Sequence, residues 1–147
     1  MMSRIMLMCV CVFCANTFAE DLEFNNTWLR ATPPGVSSAA IYGDLINNSD
    51  DEEVLVSVTS NVAKRVMLHR TSDERGMMRM MHVDKLILTP RAQESLSPGG
   101  LHLMLTGLQQ SLTEGERVTV KLHFQSGLEI DASARVGSIA QLDFPEE

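Results

Sequence analysis

Beyond residue 20, turn residues interrupt this chain so often that no apolar run is long enough, or has the right period, for a helix of more than two turns. Residues 39–46 are β-formers and stop at the turn cluster Asn47, Asn48, Ser49, Asp50, Asp51. Val54, Val56 and Val58 alternate with Leu55, Ser57 and Thr59, and residues 66–68 continue after a break at 60–63. Residues 77–83 and 86–88 follow, closed by Thr89 and Pro90, and residues 101–105 lie between Pro98-Gly99-Gly100 and Gly107. A turn at 113–116 precedes the alternating run Val118, Val120, Leu122, Phe124, and Gly127 opens a last strand to Ala134. About seven short strands at this spacing predict an all-β chain, an antiparallel sandwich or barrel. Residues 70–76 read as a polar loop, 21–28 as a lead-in of undecided pairing and 143–147 as a polar tail. No repeat or linker divides the chain.

The first 19 residues follow a different rule. They carry one charge, Arg4, then an apolar run from Ile5 to Phe13, and end on Thr17-Phe18-Ala19 with small residues where a signal peptidase reads. A membrane-spanning helix needs about 20 apolar residues, and this run is broken by Asn16 and closed by Glu20 and Asp21. Residues 1–19 are therefore expected to be a cleaved signal peptide, and residues 20–147 a single domain exported to the periplasm. Cys9, Cys11 and Cys14 do not fit a lipoprotein cleavage pattern, so no membrane anchor is expected.

All three cysteines leave with the signal, and loss of Arg4 moves the formal charge from −7 to −8. A disulfide scaffold, a cysteine nucleophile or redox pair, and a blue-copper centre with its cysteine ligand are thereby excluded. The acidic balance leaves no basic patch to displace counterions from a phosphate backbone, so nucleic acid is not an expected partner.

Six of the ten methionines survive, and they are clustered. Met67, Met77, Met78, Met80, Met81 and Met104 fall in two windows that also hold His69, His82 and His102. Any one of them alone would ordinarily be core filler. On a strand, however, His102 and Met104 point to one face, as do Met78, Met80 and His82. A hairpin-like return of the chain can bring His69 to Met80. Thioether sulfur selects Cu(I), whereas Mg, Ca and Mn take oxygen and Zn takes thiolate, imidazole or carboxylate. Outside the cytosol thiols tend to be oxidised, and a thioether cannot form a disulfide. Two neutral imidazoles and two thioethers would hold Cu(I) without a buried counter-charge.

The spacing His69, ten residues, Met80, twenty-one residues, His102-Leu103-Met104 resembles the H-x10-M-x21-H-x-M signature of the periplasmic PCu(A)C-type copper chaperones. Trp28-Leu29-Arg30, Ala39-Ala40-Ile41-Tyr42, the segment from Pro98 to Leu105 and residues 108–115 are similar to that family as well. The resemblance implies a cupredoxin-like Greek-key β-sandwich or barrel that holds one Cu(I) per chain through His69, Met80, His102 and Met104. It further implies delivery of that ion to the dinuclear copper centre of cytochrome c oxidase, often with a thioredoxin-like copper donor. Arg70 and Thr71 stand where many relatives carry an extra methionine, and residues 138–147 lack the histidines and methionines of some relatives' extensions. His82 lies where relatives have a non-ligand. A spare ligand, a point of arrival for the ion and a solvated edge residue are all open to it, the last preferred.

His123 is out of phase with Val120, Leu122 and Phe124, and is expected to face solvent. Met67 lines either the site or the core, Met77, Met78 and Met81 could form a soft collar, and Trp28 is expected in packing. No catalytic constellation is present, so the chain is not expected to be an enzyme, and it is expected to be a monomer. The functions left are a Cu(I) carrier working by ligand exchange, a copper-sequestering tolerance protein without a dedicated recipient, and a metal-free sandwich with methionine packing.

Overall fold

Alternation settles which side of each strand is buried. In β9 (Arg117–Phe124), Val118, Val120, Leu122 and Phe124 are buried and the residues between them are not. In β8 (Leu101–Leu108), Leu101, Leu103 and Leu105 turn to the core. The computed structural model describes residues 21–145, and among these every regular element is a strand. The expected signal peptide, 1–19, lies outside the described residues. No helix among the described residues is long and apolar enough to cross a membrane.

The remaining strands are β1 (Leu22–Arg30), β2 (Ser38–Asn47), β3 (Glu53–Ser60), β4 (Ala63–Glu74), β5 (Met77–His82), β6 (Leu86–Leu88), β7 (Gln93–Leu96) and β10 (Glu129–Gly137). They hydrogen-bond in the order β5-β4-β8-β2-β1-β10-β9-β3-β6, and a further β3–β4 pairing at Val58 and Val66 closes seven of them into a barrel. β5 lies outside that ring on β4, β6 lies outside it on β3, and β7 pairs with β2 beyond β8. All pairings are antiparallel except β1 with β10, which run parallel. The cupredoxin-like all-β architecture matches the sequence expectation. The lead-in 21–28 belongs to a central strand, and residues 70–74, expected in a loop, continue β4.

Two local devices shape the barrel near β1 and β2. A bulge in β1 sets Asn26 and Thr27 against the single residue Gly43 of β2. Gly43 has φ +152, and a Cβ there would fall 2.8 Å from the Asn25 carbonyl oxygen, so only glycine fits. The shift in phase brings Trp28 opposite Tyr42 on one face, and Leu29 opposite Ile41 in the core. At the end of β2, the buried Asn47 side chain donates to the carbonyls of Asp51, Leu88 and Thr89 and accepts from Ser49. It thereby ties the turn cluster to β6, with its own polar atoms satisfied.

Leu103 is fully buried between β4 and β2, which flank β8. Leu103→Ala should lower unfolding free energy by about 2–5 kcal/mol in urea denaturation. Ile139→Ala, at an exposed position, should stay within about 0.5 kcal/mol.

Candidate metal centre

The site begins with a turn. Arg75 and Gly76 both have positive φ, +57 and +81, which is the backbone of a two-residue type I′ hairpin loop. The Asp73 carboxylate accepts the Gly76 N–H at 2.7 Å, and Arg79 pairs with Glu74 across the strands. Counting outward from this turn, Glu74 opposes Met77, Thr71 opposes Met80 and His69 opposes His82. On the other edge of β4, Met67 opposes Met104, Leu68 opposes Leu103 and His69 opposes His102.

Leu68 and Leu103 point into the core. Their neighbours Met67, His69, His102 and Met104 therefore project from the outer face, and on β5 Met78, Met80 and His82 share that face through the same register. Three histidines from three strands stand in one row. The His69 ring centre is 5.7 Å from that of His82 and 6.0 Å from that of His102, both nearly edge-on. The ring contacts continue from His102 to Tyr42 at 6.4 Å and from Tyr42 to Trp28 at 4.8 Å. The Arg30 guanidinium lies about 6 Å from both the Trp28 and Tyr42 ring centres.

Met80, His102 and Met104 line one open cleft of about 390 Å³, together with Thr71, Tyr42, Ala40 and Arg30. His69 stands next to His102 in the row. The four residues singled out by spacing are thus brought to one side of one sheet, with His82 directly across from His69. Met67 joins that face. Met77 and Met81 project from the opposite face of β5, so of the proposed collar only Met78 is on the site's side. His123 is remote, held by Glu129 at 2.9 Å, and Trp28 is buried in packing.

Burial and hydrogen bonding set the nitrogen donors. His102 is 4% exposed and its Nδ1 lies 3.0 Å from the Gly100 carbonyl oxygen. A carbonyl only accepts, so Nδ1 carries the proton and Nε2 presents its lone pair. His69 has a buried Nδ1 with no hydrogen-bond partner. Burial, then the neighbouring charges of His102 and His82, hold its pKa below the ordinary histidine value. A buried imidazole nitrogen without a hydrogen-bond partner, on a ring held below the ordinary histidine pKa, with a second imidazole and two thioethers on the same face, is a donor set fitted to a soft, singly charged metal ion.

A closed cupredoxin-like barrel with this histidine–methionine cluster on its outer face defines the class of PCuAC-type domains. The copper-bound PCuAC domain of PmoF2 shares the fold at TM-score 0.68 and 24% identity, covering 80% of this chain and 93% of that one. The solution structure of CuI-DR1885 from Deinococcus radiodurans matches at TM-score 0.62 and 32% identity, over 76% of this chain and 74% of that one. The chain belongs to the family described as "Putative lipoprotein LpqE-like", which matches residues 22–136. Within curated relatives, "Putative lipoprotein Lxx21020" of Leifsonia xyli subsp. xyli is 30% identical over 110 residues, 74% of this chain. The match spans 65% of that relative's length.

Since His69 is harder to protonate folded than unfolded, the folded state binds fewer protons as pH falls. This contribution to stability is lost from about pH 6.5 downward and levels off below the depressed folded pKa. Imidazole NMR titration should find the His69 midpoint below about 6.5, moving upward in His82→Gln. A midpoint at or above the ordinary value would contradict the burial and charge argument.

Proposed function

We propose that this chain is an extracytoplasmic Cu(I) carrier that holds one ion through His69, Met80, His102 and Met104 and passes it on by ligand exchange. The observation that supports this reading is the placement of two imidazoles and two thioethers on the outer face of one sheet, with Met80, His102 and Met104 lining one open cleft. Thioether sulfur and imidazole suit Cu(I), and the absence of carboxylate from the set disfavours hard cations. Met80 is 54% exposed on an edge strand. One ligand can therefore leave while a partner's ligand arrives, without disturbing the core.

Copper is cargo here. Cu(I) neither gains nor loses an electron, and no bond of another molecule is made or broken. His102 is the fixed ligand, held by the Gly100 carbonyl and buried, whereas Met80 is the mobile one. A partner's donor would approach from the Met80 side of the cleft. The proposed recipient is the dinuclear copper centre of cytochrome c oxidase, with a thioredoxin-like protein as a possible source of the ion. These roles rest on the family resemblance and on the Cu(I) of the D. radiodurans structure. An accessible sulfur ligand favours hand-over above sequestration, for which a closed site would hold the ion better.

Cu(I) competition against a chromophoric chelator should give one ion per chain. Removing an outer-shell partner of a metal ligand typically costs 10–100-fold in affinity, so His102→Ala or Met104→Ala should cost at least that. Apo recipient domain mixed with the loaded protein should then gain the ion. No competition with the chelator leaves the metal-free sandwich, and tight binding without transfer leaves sequestration.

A further inference from the structure

We infer that His69 and His82 form a second metal position, which shares His69 with the histidine–methionine cluster and is suited to a borderline divalent ion, Cu(II) foremost. It takes the copper reading for the identity of the ion, but its geometry is independent of Cu(I) carriage. His69 and His82 are direct cross-strand partners on β4 and β5, on one face, with ring centres 5.7 Å apart. Two imidazoles bound to one ion at about 2.0 Å have ring centres up to about 6.4 Å apart, so the pair needs only small side-chain rotation to share an ion.

A carboxylate stands beside His82. Its Nε2 lies 3.3 Å from Asp84 Oδ1, and Asp84 is itself exposed. A carboxylate beside an imidazole is the kind of partner that orients a metal-binding ring. His69 brings a buried Nδ1 that no protein group satisfies. As placed, no three of the His, Cys, Asp and Glu side chains among the described residues converge on one point. The pair is therefore a two-nitrogen platform whose other positions are open to water or to a partner's ligand.

The donors decide the ion. Both of its protein donors are imidazole nitrogens, since Met80, the nearest methionine on that face of β5, lies opposite Thr71 and not His69; paired imidazoles with open positions suit tetragonal Cu(II), the most strongly bound of the first-row divalent ions. His82 and His102 stand on opposite sides of His69, two strand spacings or about 9.6 Å apart. His69 can serve one neighbour at a time. The two positions exclude one another, because each needs His69.

Electron paramagnetic resonance of the full chain titrated with Cu(II) alone tests this, beside Cu(I) competition on the same variants. Cu(II) should bind with a tetragonal nitrogen–oxygen signature that survives in Met80→Leu/Met104→Leu. His82→Gln should weaken Cu(II) at least tenfold while leaving Cu(I) affinity within twofold, and Asp84→Asn should weaken Cu(II) less than His82→Gln does. Preloading one Cu(I) should abolish the Cu(II) signal. A Cu(II) spectrum unchanged in His82→Gln, or lost with the methionines, overturns the inference. If wild-type protein takes Cu(II) in this His82-dependent way but does not compete for Cu(I), the second position stands and the carrier reading falls.

Discussion

The register of β4 against its two neighbours is the constraint on which the centre depends. A slip of one residue in either pairing would turn its donors from the outer face to the core. Two independent features hold that register. Leu68 and Leu103 are buried as a pair between β4 and β8, and the Arg75-Gly76 turn, braced by Asp73, leaves β5 one alignment. His82, His69 and His102 fall into line as a consequence, with Met80 on one side of that row, opposite Thr71, and Met104 on the other, opposite Met67.

Placing the centre outside the barrel separates stability from exchange. The core is closed by aliphatic and phenylalanine side chains on the inner faces of the strands, so side chains of the candidate centre can move without opening a cavity. On the inner end of the row, packing grows tighter: His102 is buried, Tyr42 backs it, and Trp28 backs Tyr42 through the alignment that the Gly43 bulge permits. Toward the outer end the strand is exposed on both faces. The row therefore runs from a rigid donor to mobile ones, the gradient a carrier needs if one ligand is to stay while another is exchanged.

Much of this was legible in the residues, and the rest was hidden for identifiable reasons. The strands whose one face is core, such as Val118 to Phe124, announce themselves by alternation. β1 does not, because Asn25, Asn26 and Thr27 break its pattern at a bulge that only the opposing Gly43 explains. β7 is short and polar, and carries its pairing through the backbone. The gravest misreading was local: Arg70, Thr71, Ser72, Asp73 and Glu74 are polar and read as loop, yet they are strand because β5 and β8 give their backbone partners. Had Arg75-Gly76 been taken as a two-residue hairpin turn, counting outward would have set His82 opposite His69. Spacing alone singled out His69, Met80, His102 and Met104, but periodicity within single strands could not reveal a row that crosses three of them.

The central claim is that nitrogen and sulfur donors from β4, β5 and β8 meet on one ion. X-ray absorption at the copper edge of the full chain loaded with one equivalent of Cu(I) tests it most directly. The account predicts a reduced edge with two nitrogen and two sulfur scatterers, one sulfur vanishing in Met80→Leu and the other in Met104→Leu. A first shell without sulfur, or one unchanged when both methionines are replaced, would contradict it.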